Sequence, residues 1–221
     1  MRIRRMQTLY TNTINELVKN SLQILMQAPV FDPFRLVGGT ALSLQVGHRE
    51  SIDLDLFSDA PYGSIDFDRI DYFLRQTFSY VSTSSMLPSI GKAYYLGKDK
   101  NQTFKLDIFY TDPFIQPFLL IDSIRLATIE EIIAMKIDVI QRGGRKKDFW
   151  DLHELVSRYS IHDMIELHAL RYPYSHDRTL ILHNFSNFQY ADEDLNPICL
   201  RGKYWEFIKD DFQVMISKLN L

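Results

Sequence analysis

By the spacing of its apolar residues the chain reads as two regions. Near the start, Ile14, Leu17, Val18, Ser21, Ile24 and Leu25 share one helical stripe, with Thr13 and Glu16 as its capping box and Ala28-Pro29 as its stop. Phe34 to Val37 then reads as a short strand, Gly38-Gly39 as a tight turn and Thr40 to Val46 as a short helix. The period next shortens to two: Ile52, Leu54 and Leu56 point to one face and Asp53 and Asp55 to the other. Phe67, Ile70, Phe73 and Leu74 predict a helix from Asp66 to Phe78, followed by strand-like runs around Tyr80, Tyr94 and Ile108. From Thr128 onward only helical spacing is left, predicting helices near Ile129 to Gln141, Phe149 to Tyr159, Ile161 to Leu170, His176 to Phe185 and Tyr204 to Leu219. Residues 1–122 thus form an α/β (α+β) core, and residues 123–221 a mainly helical C-terminal region.

Composition narrows the picture. With 46% hydrophobic and 24% charged residues in 221, the chain is an ordinary globular protein, and its net charge of -3 argues against a general polyanion binder. Any nucleic-acid contact must come from a local basic patch. A single cysteine, Cys199, excludes an internal disulfide and fits a reducing compartment. The basic start MRIRRMQTLY lacks a signal-peptide core, and no stretch reaches the roughly 18 apolar residues of a membrane helix, so a cytoplasmic protein without membrane association is expected.

The alternating strand poses a chemical problem, because two carboxylates on one face repel unless a cation or a set of donors lies between them. A third acid enters from "TFKLDIFY", where Lys105, Asp107 and Phe109 share a face opposite Leu106 and Ile108. If the two strands are neighbours, Asp53, Asp55 and Asp107 converge on an all-oxygen site suited to Mg2+ and to the phosphates of a substrate, the plain alternative being a solvated strand face. Gly38, Gly39 and Thr40, before a helix, offer backbone N–H groups and a hydroxyl to phosphate oxygens. Thr128 and Glu131 read as a capping box, and Lys136 falls within the stripe of Ile129, Ile132, Ile133 and Ile140, hence inward, as a phosphate contact or a structural ion pair. Asp148, with Asp151 three residues on, could cap the helix that follows. Arg142, Arg145, Lys146 and Lys147 form the basic cluster best suited to an RNA backbone, or else a solvated loop. The six histidines show no zinc-like spacing, and Phe149, Trp150, Tyr204, Trp205 and Phe207 read as core.

A glycine turn, a short helix, D-h-D on a strand and a later third acid resemble the nucleotidyltransferase superfamily of the DNA polymerase β type. More narrowly, "GGTALSLQVGHRESIDLDLF" is similar to the AbiEii/AbiGii toxin family, whose R-x-S-x-D-h-D-h-F pattern is filled by Arg49, Ser51, Asp53, Asp55 and Phe57. "KIDVIQRGGRKKDFWDL" resembles the family's lysine-then-aspartate motif through Lys136, Arg142, Asp148 and Asp151, and the closing segment is similar through Ala191, Asp192, Pro197 and Trp205. The resemblance implies a polymerase-β-type core with a mixed sheet, and transfer of a nucleoside monophosphate from a nucleoside triphosphate to an acceptor hydroxyl with loss of pyrophosphate. Asp53 and Asp55 would bind Mg2+ and the triphosphate, and Asp107 would complete the metal site and help activate the hydroxyl. Gly38, Gly39, Thr40, Ser51, Lys136 and Arg142 would hold the nucleotide, with Asp148 orienting Lys136 or Arg142. It also implies a toxin of a toxin–antitoxin or phage-defence pair, with a cognate antitoxin and an RNA acceptor such as a tRNA end. A small-molecule or protein acceptor, or a non-catalytic binding role, are the rival readings.

Overall fold

The computed structural model describes residues 8–83 and 90–219; the first seven residues of the basic N-terminal run lie outside them. The chain divides into two compact units, each assembled from separate stretches. One comprises residues up to Gly47, Ser51–Thr111 and Pro117–Ala127; the other comprises His48–Glu50, Asp112–Gln116 and Thr128–Leu221.

The first unit is a mixed seven-stranded sheet with helices. Its elements are α1 (Glu16–Gln27), β1 (Arg35–Val37), α2 (Gly38–Val46), β2 (Leu54–Ser58), α3 (Phe67–Thr77), β3 (Tyr80–Thr83), β4 (Gly91–Asp99), β5 (Gln102–Tyr110), β6 (Leu119–Ile121) and β7 (Ile124–Leu126). The strand order is β3-β4-β5-β2-β1-β7-β6. β2 runs parallel to β5, and β1 to β7, while the remaining neighbours are antiparallel. On β5 the alternation holds as expected, with Phe104, Leu106 and Ile108 buried. On β2 it begins only at Leu54, and Ile52, expected on the core face, is 58% exposed because it precedes the strand. Helix α1 is capped by Asn15, whose side chain accepts from the Val18 N–H at 2.9 Å. Thr13 instead lies in a 3-10 turn, its hydroxyl donating to the Tyr10 carbonyl at 2.7 Å, because a cap must adjoin the first helical residue. Ile24 is exposed and Leu22 takes its place in the core, since Val18, Leu22 and Leu25 follow the four- and three-residue steps of one face. Arg125 of β7 ties the turn after α1 to the sheet by donating to the carbonyls of Met26, Phe31 and Phe34 at 2.9 to 3.1 Å.

The second unit is helical: α4 (Ile129–Gln141), α5 (Lys146–Leu155), α6 (Ile161–Arg171), α7 (Arg178–Phe185), α8 (Gln189–Glu193) and α9 (Trp205–Leu219). Its core gathers around Phe149, whose ring meets Phe185, Phe188, Trp205 and Phe212. Tyr204 and Phe207, expected in that core, are exposed. Thr128 caps α4 through the Glu131 N–H, but the reciprocal half of the box is absent. The buried Glu131 carboxylate accepts from Arg171 and from the N–H groups of Ile115 and Gln116 at 2.9 and 3.1 Å, which fastens the segment Asp112–Gln116 to this unit. No helix among the described residues is long and apolar enough to cross a membrane.

Candidate active site

Strand pairing in the first unit brings two of the three expected acids together. Asp55 of β2 pairs in register with Asp107 of β5 on one side and with Val37 of β1 on the other. Beyond Asp107 the register places Ala93 of β4, a side chain too short to cover the carboxylate. The residue after Val37 is Gly38, which opens α2 with φ +69°, and a Cβ there would lie 2.4 Å from Asp55 Oδ2. Glycine is required twice, for the left-handed backbone and for the space the carboxylate fills. The glycine pair is therefore the first turn of the helix itself, not a turn ahead of it. That helix presents its N–H end, with its partial positive charge, where Asp55 lies.

The Thr40 hydroxyl is already engaged. It donates to the Asp53 carbonyl and lies 2.7 Å from Ser51 Oγ. A hydroxyl has one proton, and a carbonyl can only accept, so Ser51 must be the donor to Thr40. Both protons are spent inside the protein, fixing the segment that leads to Asp53. These two side chains, expected to hand donors to phosphate, instead hold the acid-bearing stretch in place.

Lys105, whose chemistry the sequence pattern left unassigned, proves to be a counter-charge of Asp107, with Nζ 2.5 Å from Oδ2. Partial burial, the largest single influence, pulls its pKa down. The hydrogen bond and charge of Asp107, with the charges of Asp55 and Asp53, overcome this and raise it. Among the described residues no group of three or more His, Cys, Asp or Glu side chains is placed so that it could hold a metal ion. The three acids therefore do not form a ready-made cage: Asp53 lies one residue ahead of β2, and Asp55 and Asp107 are the adjacent pair. The pair still fits a hard divalent cation in its donor chemistry, because Asp107 Oδ1 is buried without a hydrogen-bond partner and Mg2+ takes few protein carboxylates beside substrate phosphates.

In the second unit, Asp151 is the centre of a buried ionic cluster. Its carboxylate receives Arg49 Nε at 2.6 Å, Arg49 Nη2 at 2.8 Å and His48 Nε2 at 2.6 Å, and Lys136 Nζ lies 2.6 Å away. Lys136 also donates to Asp148 Oδ1 at 2.8 Å. Burial works against both charges and is the largest influence on each. Arg49 and Lys136 nevertheless hold Asp151 well below the ordinary carboxylate range, and Asp148 and Asp151 raise the pKa of Lys136. His48 Nε2 faces a carboxylate, which can only accept, so the proton of this hydrogen bond sits on Nε2. Arg49 and Lys136 are the cations that face Asp148 and Asp151 here. Asp148 is the third residue of α5 and pairs with Lys136, so it does not cap the helix; the cap position is Arg145, whose side chain makes no capping bond.

The basic cluster is not one loop. Arg142 follows α4 and is largely exposed, 2.5 Å from Asp138; Arg145 is also exposed, 3.7 Å from Asp194. Lys146 is the first residue of α5, buried, with its ammonium on the carbonyls of Asp192 and Asp194 and over the Trp205 ring. Lys147 is half-buried. Asp192 accepts from Trp205 Nε1 at 2.6 Å and from Lys209 at 3.0 Å, which gives it a structural place in the closing segment.

Known proteins are similar to this chain in sequence or in fold. An uncharacterised protein of Aquifex aeolicus (strain VF5) is 29% identical over 211 residues, covering 90% of this chain and 94% of its own. Among solved structures, JHP933 from Helicobacter pylori has a TM-score of 0.58 at 22% identity, covering 93% of both chains. MenT4, a nucleotidyltransferase toxin of Mycobacterium tuberculosis, has a TM-score of 0.55 at 13% identity, covering 89% of this chain and 84% of its own. At such identities these two show a shared fold. The sequence model of the nucleotidyl transferase AbiEii toxins of type IV toxin–antitoxin systems matches residues 21–218, and the chain therefore belongs to the AbiEii family of nucleotidyltransferases.

Proposed function

We propose that the protein is the toxin of a toxin–antitoxin pair and transfers a nucleoside monophosphate from a nucleoside triphosphate to a hydroxyl of RNA, a tRNA end being the acceptor favoured by family resemblance. The observation that carries the chemistry is the register of Asp55 with Asp107 beside the glycine start of α2. Asp55 and Asp107, with Asp53 next to them, would hold Mg2+, which when bound neutralises charge that develops on the phosphates. The N–H groups of Gly38 and Gly39 would take phosphate oxygens. Thr40 and Ser51 keep the Asp53 backbone where the carboxylate is needed. The acceptor oxygen forms a bond to the α-phosphorus, and the bond to the pyrophosphate oxygen breaks. The hydroxyl proton would pass to the Asp107 carboxylate. Catalysis then rests on positioning and charge neutralisation.

Lys136 and Asp148 would act through Asp151, which grips Arg49 and His48 only a few residues before Asp53 in the chain. Arg142, Arg145 and Lys147 are the cations left to meet an RNA backbone. The family's type IV toxin–antitoxin systems support an antitoxin as partner. The test is incubation with each labelled nucleoside triphosphate, Mg2+ and total RNA. Label should enter RNA with the parent protein and be lost in Asp55→Asn. Label in a small molecule alone would move the acceptor to that class, and no RNA label with any nucleotide would reject RNA as the acceptor.

A further inference from the structure

We propose that Phe57 and Phe109 form the stacking platform for the base of the incoming nucleoside triphosphate; this rests on the nucleotidyl-transfer reading above. Both rings stand on the acid-bearing face of the sheet, half-buried, while Leu54, Leu56, Leu106 and Ile108 take the opposite, buried face. Phe57 follows Asp55 by two residues and Phe109 follows Asp107 by two, and the parallel register pairs Phe57 with Phe109 as it pairs Asp55 with Asp107. The ring row therefore lies one pleat repeat, about 7 Å, beyond the acid row. A ribose bridges such a gap between an α-phosphate and its base. Direction agrees with this. β1 runs antiparallel to β2, with Val37 beside Asp55 and Arg35 beside Phe57, so Gly38 and Gly39 continue past the acids at the end away from the rings. A triphosphate laid along the strands then puts its outer phosphates at the glycines, its α-phosphate at the acids and its base at the rings.

The rings meet at a centroid distance of 6.0 Å and an interplanar angle of 67°, which makes a corner rather than a flat stack. A base lying on one ring meets the other edge-on, both favoured geometries for aromatic pairs. Room for the arrangement is made on β4. Gly91 is the partner of Phe109, and a Cβ at 91 would lie 2.4 Å from Phe109 Cδ1, so the ring occupies the place of the missing side chain. Ala93, opposite Asp107, is again small. Packing of the two rings against each other also stabilises the sheet, a role that would show in the melting temperature and not in nucleotide affinity.

The test measures binding and does not need turnover. Calorimetry in the presence of Mg2+ compares α,β-methylene nucleoside triphosphates, which carry a base, with inorganic tripolyphosphate, which carries none. The nucleotides should bind Phe57→Leu and Phe109→Leu about tenfold more weakly than the parent, within the range of base–aromatic stacking, and Phe109→Tyr should restore most of the loss. Tripolyphosphate should bind the parent and every variant alike. Equal nucleotide affinity in the parent and both folded leucine variants would overturn the platform and leave the nucleotidyl-transfer reading standing, as would a tripolyphosphate affinity that falls in step with that of the nucleotide. Weaker transfer to RNA at unchanged nucleotide affinity would give the rings to the acceptor and overturn their assignment to the incoming base. No binding of nucleotide or tripolyphosphate by the parent would overturn both readings. If neither leucine variant folds by circular dichroism, nuclear Overhauser contacts in the parent between the base of a bound α,β-methylene nucleotide and the rings of Phe57 and Phe109 decide, and their absence overturns the platform.

Discussion

Lys136 is 4% exposed in the middle of α4, and it keeps its charge because Asp148 and Asp151 reach it from α5. Removing one partner of a buried pair leaves the other uncompensated, so Lys136→Met should lose about 3–5 kcal/mol by urea denaturation. The double variant Lys136→Met, Asp148→Leu should recover much of that loss, because Arg49 and Asp151 then still balance. A single Met variant as stable as the parent but inactive would return Lys136 to a direct phosphate role. The inward direction of this lysine was legible from its place in an isoleucine stripe, since 100° per residue fixes which way a helical side chain points. Its partners were only partly legible. Asp148 and Asp151 lie nearby in sequence, whereas Arg49 meets Asp151 across 102 residues, and no local pattern encodes that meeting. The same limit hid Lys105, whose proximity to Asp55 depends on β2 and β5 being neighbours.

At the level of elements, the stretch from Arg142 to Lys147 shows how one helix start sorts a run of like charges. Because α5 begins at Lys146, that residue turns inward against Asp192, Asp194 and Trp205, and only Arg142, Arg145 and Lys147 keep access to solvent. Replacing these three with Gln should weaken transfer to RNA. The salt slope of binding should fall by up to about 0.7–0.9 for each phosphate no longer neutralised, measured over a salt series. Lys146→Gln should instead lower the melting temperature. Equal transfer by parent and triple variant at all salt concentrations would remove this surface from RNA binding. The long helices were legible in their existence and within a few residues in their ends, α4 to the residue, because an extended apolar period averages over local exceptions. β6 and β7, three residues each, were not, since so short a run has no period to read. Gly38 was legible as a chemical feature but not as the first residue of α2 beside Asp55, a neighbour that only the pairing of β1 with β2 supplies.

Across the whole molecule, the titrating groups set a window of stability. His153 and His176 have pKa values lowered from 6.5, chiefly by burial, so the unfolded chain takes protons first and stability drains as pH falls through about that value. Asp151 is held well below 3.8 in the fold, against burial, by Arg49 and Lys136. Its contribution is complete above the unfolded value and is lost as pH falls through the folded one. Glu131, raised by burial, works the other way and moderates the loss. The urea midpoint should therefore fall in two stages between pH 8 and pH 3, the second smaller in Asp151→Asn, which is less stable throughout; a midpoint flat over this range would contradict the ionic account. The division of the chain carries a different consequence, for the order in which a growing polypeptide can settle. Every strand of the sheet has been made by Leu126, yet His48 and Arg49, near the middle of that sequence, belong to the later unit. A nascent chain stopped one residue short of Asp151 would own the complete sheet and still lack the carboxylate that those two side chains bind. His48 and Arg49 are thus among the last side chains to meet their partner, although they are among the first to be synthesised.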